Sequence, residues 1–256
     1  MIITQLGKTL YKYKINSNYI NFESFILDIR NHFDQNSNSI HKARNELKII
    51  HHQGEDLVVK SFKVPNLIRR IVYTIFHDTK AKKSYEYSLK IGEFTPDPIA
   101  YIEFYTYGLL TDSYFIAQKF EYDFTIREPL LDDDFFDKEK ILKLFAAFTF
   151  ELHEKGILHK DYSPGNILIK KEAKRYDFKV VDINRMEFRK LNLDDRLKNF
   201  AKLWISDNDL KIVIYTYAEL VNKNSVLCYE TALKYSQKLK NRINMKKRLK
   251  GIDIVD

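Results

Sequence analysis

Cysteine is almost missing from this chain: Cys228 is the single one in 256 residues. That excludes an internal disulfide framework and fits a reducing compartment. The first residues, Met1-Ile-Ile-Thr-Gln-Leu-Gly-Lys8, lack the apolar core of a signal peptide. No window approaches about 18 apolar residues without a charge, which excludes a bilayer-crossing helix. Internal repeats and low-complexity linkers are also missing. The expected location is therefore the cytoplasm.

A hydrophobic content of 45% and an aromatic content of 14% argue against disorder. At this length the chain can form one large domain, or one domain of two lobes, with ample core. Its net charge of +8 is unevenly spread, since Thr231 to Lys250 holds eight Lys or Arg and no acid. Such an end suits a polyanion: nucleic acid, anionic lipid headgroups or a phosphorylated glycolipid. The plainer reading is a solvated helix face. Nucleic acid fits worst, because the run lacks interleaved aromatics at a module spacing.

The first 38 residues read as a short strand, a helix over 22–33 and a polar turn at 34–38. Glu46–His51 and Leu57–Phe62 read as two strands joined through Gly54, a hairpin signal. Alternation in the second strand puts Val58, Lys60 and Phe62 on one face. A covered ammonium there needs a partner, and a phosphate or a glutamate would serve. Pro65 opens an apolar helical stripe over 66–76, which suits ordinary core or an interfacial helix. A further helix runs from Lys80 to Ile91, stops at Gly92 and carries Glu86. Glu86 is either a surface partner of Lys90 or the partner of Lys60. Strands over 99–105 and 113–120, split by a turn at Gly108, would complete a five-stranded antiparallel sheet. Residues 121–124 then leave it as a hinge. A long helix after Asp137, with Ile141, Leu144, Phe145, Phe148 and Leu152 on one stripe, ends at Gly156. Another is expected over 196–204, and one or two more follow from Leu210.

The densest chemical signal is Gly156-Ile-Leu-His-Lys-Asp-Tyr-Ser-Pro-Gly-Asn-Ile-Leu-Ile169. It sets the carboxylate of Asp161 five residues before the amide of Asn166. An apolar strand, Phe178-Lys-Val-Val-Asp-Ile-Asn184, then delivers a second carboxylate, Asp182. Asp161 can accept a hydroxyl proton, while Asn166 and Asp182 offer hard oxygen ligands to Mg2+. A base, an amide and a metal-binding acid in that order, with a lysine upstream, are the parts of a kinase-type phosphotransferase. His159 is read as a brace for this loop. His153 and the pair His51-His52 have no metal-ligand spacing and are read as incidental.

With these residues in view, the chain resembles the protein-kinase-like superfamily, and within it the bacterial lipopolysaccharide kinases. It is most similar to the 3-deoxy-D-manno-octulosonic acid (Kdo) kinases and lipopolysaccharide core kinases. Leu57-Val-Val-Lys60 resembles the strand-three lysine motif, and Glu86 sits where the helix-C glutamate is expected. His159-Lys-Asp161 with Asn166 is similar to the catalytic loop, and Asp182-Ile-Asn184 stands in place of Asp-Phe-Gly. The resemblance implies an α+β bilobal fold: a small antiparallel sheet with helix C over about 1–121, and a mainly helical lobe over about 122–256. It implies ATP and Mg2+, with Lys60, held by Glu86, on the nucleotide phosphates, Val58 beside it, and Asn166 and Asp182 on the metal. It also implies a lipid-linked Kdo acceptor met at the cytoplasmic face of the inner membrane.

The sequence departs from the wider superfamily in four places. No glycine-rich loop precedes Lys60; Ser39-Ile-His-Lys-Ala-Arg-Asn-Glu46 occupies that position. Backbone N–H groups approach phosphates less closely without glycine, so Lys42, Arg44 or Asn45 would have to compensate. Ser163 replaces the usual lysine two residues after the base. The Phe-Gly after Asp182 and the Ala-Pro-Glu motif are both missing, which leaves little room for a peptide-binding segment and favours a sugar-type hydroxyl. Two rival readings stand beside this one. The chain is a kinase of another small hydroxyl compound, as in the aminoglycoside and choline phosphotransferases, or a silent pseudokinase scaffold in envelope synthesis.

Overall fold

The computed structural model describes residues 2–6, 9–42, 45–62, 78–173 and 175–251. The helix expected over 66–76 and the cation Arg44 lie outside these residues. Two compact units divide the chain, Met1–Phe120 and Glu121–Asp256.

In the first unit the described strands are β1 (Ile2–Leu6), β2 (Thr9–Ile15), β3 (Ser39–Lys42), β4 (Asn45–His52), β5 (Glu55–Phe62), β6 (Pro98–Thr106) and β7 (Leu109–Gln118). They form one sheet in the order β1-β2-β6-β7-β5-β4-β3, and every pairing is antiparallel. The sequence reading gave five strands; the sheet has seven among the described residues. The two additional strands are β2, whose Thr9-Leu-Tyr-Lys-Tyr-Lys-Ile15 alternates but follows no distinct turn signal, and the four-residue β3.

Two turns fix the register. Gln53 and Gly54 both have positive φ, 49° and 83°, and so do Tyr107 and Gly108, 52° and 75°. Two successive left-handed residues match the right-handed twist of a hairpin, and glycine takes the second position in each without steric cost.

Both faces of the sheet are covered. Helices α1 (Glu23–Leu27) and α2 (Ile29–Gln35) bring Phe25, Ile26, Ile29 and Phe33 against Leu57, Val59, Ile102 and Ile116. On the other face α3 (Lys80–Ile91) packs Ala81 and Tyr85 against Phe62, Tyr101 and Phe115. This double cover explains why eight of the nine residues of β6 are buried.

One buried acid ties α3 to the sheet. Glu103 is 4% exposed and accepts from Thr79 Oγ1 at 2.6 Å and from Tyr105 Oη at 2.8 Å. Thr79 is also the N-cap of α3, its hydroxyl accepting from Lys82 N–H at 3.1 Å. A buried carboxylate without donors would be costly, so Thr79 serves both the helix end and the acid.

The second unit opens with β8 (Phe124–Thr125) and α4 (Arg127–Leu131), followed by α5 (Lys138–Glu154). Three short pieces follow, β9 (Ile157–His159), β10 (Ile167–Lys171) and β11 (Tyr176–Val180), then β12 (Met186–Phe188). They pair as β11-β10-β8 and as β12-β9. Helices α6 (Leu193–Asn199), α7 (Asp207–Leu220) and α8 (Ser225–Arg248) complete the unit. The buried side of α5 is Ile141, Leu142, Phe145, Ala146, Thr149 and Leu152, so Leu144, expected on that stripe, points outward at 36% exposure. The helix expected over 196–204 ends earlier: a 3-10 turn spans Phe200–Leu203, and Trp204 takes a left-handed backbone. Gly156 is required where it stands. Its φ is +70°, and a Cβ there would lie 2.7 Å from the Arg189 carbonyl oxygen.

Candidate active site

The loop between β9 and β10 is held from all sides by hydrogen bonds within the second unit. β12 pairs with β9, setting Met186 opposite His159. After β9 the backbone turns sharply, with Ser163 N–H donating to the Asp161 carbonyl at 2.8 Å. A 3-10 turn at Pro164–Asn166 returns the chain into β10, as its Pro-Gly pair leads one to expect. The Asn166 side chain closes this loop on itself, its Nδ2 donating to the Asp161 carbonyl at 2.9 Å.

The same residues draw in the second carboxylate. β10 and β11 pair with Ile167 opposite Val180, and Val181 N–H donates to the Asn166 carbonyl at 2.9 Å. His159 Nε2–H donates to the Val181 carbonyl at 3.0 Å, while His159 Nδ1 accepts from Asp161 N–H at 3.1 Å. One neutral imidazole thus joins the backbone beside Asp182 to that of Asp161. Burial holds the His159 pKa below the ordinary histidine value, which keeps Nδ1 an acceptor.

Asp182 itself has φ 57° and ψ 43°. Left-handed backbone at a non-glycine residue is uncommon and persists where the surroundings impose it. Asn184 Nδ2 donates to Asp182 Oδ1 at 2.8 Å, so the Asn of Asp182-Ile-Asn184 orients the carboxylate. Asp161 Oδ2 faces Arg185 Nη1 at 3.4 Å. The backbone around Asp161, Asn166 and Asp182 is joined in one loop cluster.

Below the loop lies a buried polar chain. Asn199 Nδ2 donates to the His159 carbonyl at 3.0 Å. Its Oδ1 accepts from His153 Nε2–H at 3.2 Å, and His153 Nδ1 accepts from Tyr217 O–H at 2.8 Å. Burial lowers the His153 pKa to about 4 and pushes Tyr217 up to about 12, so the pair stays neutral over the physiological range. Tyr162 is buried against Phe145 with ring centroids 5.7 Å apart and shares a 2.8 Å hydrogen bond with Thr149. The sequence reading missed these supports and set His153 aside. Their separations of 46 and 64 residues leave no local pattern; the one available signal was His153 on the apolar side of α5.

The remaining candidates lie in the first unit. Val58 and Lys60 sit on the α3 face of β5, with Lys60 opposite Phe115 and Leu47. The Lys60 ammonium lies 5.3 Å from the Phe62 ring centroid. Glu86 projects from α3 and lies 3.8 Å from Lys82 Nζ, one turn before it rather than at Lys90. Lys42 ends β3, and the described residues in the glycine-loop position belong to the paired strands β3 and β4.

The donor set fits a hard divalent cation. The Asn166 amide uses its nitrogen on the loop, which leaves its oxygen as a ligand, and Asp182 supplies a carboxylate. Among the described residues there is no cluster of three or more His, Cys, Asp or Glu. Mg2+ takes one or two protein carboxylates plus phosphate and water, and this pair of oxygen donors would suit such a site.

Residues 133–223 match the model of the lipopolysaccharide kinase (Kdo/WaaP) family, bearing out the resemblance read from the loop. A solved structure of WaaP in complex with acyl carrier protein has a TM-score of 0.58 at 13% identity, covering 89% of this chain and 99% of that one. The fold is therefore protein-kinase-like. A Rio2 kinase–ADP/Mg2+–phosphoaspartate complex from Chaetomium thermophilum aligns at 14% identity and a TM-score of 0.47, over 87% of this chain and 75% of that one. No curated protein matches the chain.

Proposed function

We propose that this chain is an ATP-dependent kinase acting on a sugar hydroxyl of the lipopolysaccharide inner core, with a lipid-linked Kdo residue as acceptor. The observation that carries this reading is the joining of Asp161, Asn166 and Asp182 by His159, Val181 and the Asn166 amide. Phosphoryl transfer asks for positioning and charge neutralisation more than covalent chemistry, and a braced loop supplies positioning.

In this reading Asp161 orients the acceptor hydroxyl and takes its proton, a contribution of about 10²–10⁴-fold. Asn166 and Asp182 hold Mg2+, which when bound neutralises charge on the transferring phosphoryl group. Lys60, with Glu86, contacts the α- and β-phosphates of ATP, and Val58 lines the nucleotide site. Lys42 and Arg44 stand in for the missing glycine loop. The family match over 133–223 supports the acceptor class. Among the described residues no helix is long and apolar enough to cross a membrane, and the basic outer face of α8 supports peripheral contact with an anionic bilayer.

The test is transfer of labelled phosphate from ATP to Kdo-lipid A by the purified chain, beside a panel of soluble sugars and amino alcohols. The reading expects label in the lipid acceptor. Label confined to a soluble compound would replace it with a small-molecule kinase.

A further inference from the structure

The carboxylate of Asp161 has a cation beside it that the reaction as described does not employ. Arg185 closes the 3-10 turn Ile183–Arg185 directly before β12, and its carbonyl accepts from Lys160 N–H at 3.2 Å. The position of its Cα is thereby fixed next to the loop. Its side chain is 67% exposed and meets Asp161 Oδ2 through one long contact of 3.4 Å. A guanidinium carries five N–H donors in a planar fork. Among the described residues that single contact is its polar side-chain partner.

A second guanidinium approaches the same loop. Arg127, the first residue of α4, is exposed, and its Nη2 occupies the space beside Gly165, 2.7 Å from where a Cβ would stand. Gly165 is thus the residue that lets Arg127 close onto the loop, next to Asn166. Among the described residues Arg127 has no carboxylate within ion-pair distance. The nearby cations Lys160 and Arg189 differ: Lys160 is paired with Glu187 at 2.7 Å, and Arg189 with Asp195 at 2.6 Å.

Two arginines with open donors, Arg185 beside the base and Arg127 on the same loop at Gly165, are arranged for an acceptor that carries its own negative charge. Arginine binds carboxylate and phosphate through paired N–H groups, and an ammonium lacks that fork. We propose that Arg185 and Arg127 form an acceptor-side anion site that selects acidic sugars, Arg185 turning from Asp161 to the carboxylate of the bound sugar. The inference rests on the sugar-kinase reading but concerns two residues with no part in it so far. Turning Arg185 onto the acceptor also frees Asp161 Oδ2 for the hydroxyl proton, so acceptor binding and release of the base are one event.

Direct binding tests this without turnover. Dissociation constants of 3-deoxy-D-manno-octulosonic acid, its uncharged methyl ester and ATP are measured for the full chain, Arg185→Gln, Arg185→Lys and Arg127→Gln. Loss of a charge-assisted hydrogen bond corresponds to about tenfold or more in affinity. The expected result is tenfold or stronger preference of the wild type for the acid, lost in both Gln variants, partly kept in Arg185→Lys, with ATP affinity unchanged. Equal affinity for acid and ester, no binding of the acid, or Gln variants that keep wild-type affinity would each overturn the proposal. A fall in ATP affinity alone would move the two arginines to the nucleotide and also overturn it. Phosphate transfer by the wild type judges the functional reading separately, since an enzyme that labels Kdo-lipid A while Arg185→Gln binds the acid normally keeps the function and loses the anion site.

Discussion

His159 grips the backbone carbonyl of Val181 at 3.0 Å, so the residue two before Asp161 holds the residue just before Asp182. Replacing His159 by Phe keeps much of the packing but removes both the Nε2–H donor and the Nδ1 acceptor. The two carboxylates then lose their common reference. Turnover should fall by about 10–100-fold, the order expected for a small misplacement of reacting groups. Steady-state kinetics check this, and ATP affinity serves as the control that should stay near wild type.

Asn199 should matter for stability as much as for rate. Its amide is the one group placed between His153 and the His159 carbonyl. Asn199→Leu leaves a buried carbonyl and a buried imidazole N–H without partners, at about 1–3 kcal/mol. Urea denaturation should report a lower midpoint with an unchanged slope.

Acid should weaken the fold through the buried histidines. Burial lowers the folded pKa of His153 to about 4 from the ordinary histidine value of about 6.5, and shifts His159 in the same direction. The unfolded chain therefore binds more protons in the window between those values, and stability rises with pH across it. Full stabilisation is present above about 6.5 and is lost as pH falls toward 4, roughly 3 kcal/mol for His153 alone. His153→Gln should flatten this part of a stability-versus-pH curve.

Much of the architecture could be read from the chain because its signals were local. Gly54, Gly108 and Gly92 marked two hairpins and a helix end, and each lies where the backbone needs positive φ. The Asp161, Asn166 and Asp182 motif was equally legible, since its spacing is short and its turn residues are distinctive. What escaped was non-local. Strand β2 gains its place by pairing with β6, some 90 residues away in Tyr11↔Phe104, and β1 by pairing with β2; no turn announced them. Leu144 was assigned to the core because apolarity gives a helix face only to within a residue or so. The support of His153, Asn199 and Tyr217 is set by how α5, α6 and α7 pack, which one sequence does not display. Arg185 directly follows Asp182-Ile-Asn184, but its place beside Asp161 is set by the pairing of β12 with β9 and leaves no local signal.

The outer face of α8 should bind anionic bilayers. Lys234, Lys238, Arg242, Met245 and Leu249 are exposed and, at about 100° per residue, fall within a stripe about 80° wide. A basic stripe ending in two apolar side chains suits an interfacial helix. Sedimentation with phosphatidylglycerol vesicles should capture the wild type and not a Lys238→Glu, Arg242→Glu double variant. Capture should weaken with added salt. Equal capture by neutral phosphatidylcholine vesicles would contradict it.

The claim on which everything turns is that Asp161 and Asp182, held by one braced loop, serve one phosphoryl transfer. Incorporation of labelled phosphate into Kdo-lipid A is measured for the wild type, Asp161→Ala and Asp182→Ala, each confirmed folded by its melting profile. The account expects label from the wild type and a fall of at least about 100-fold in either variant. Equal labelling by all three proteins would contradict it.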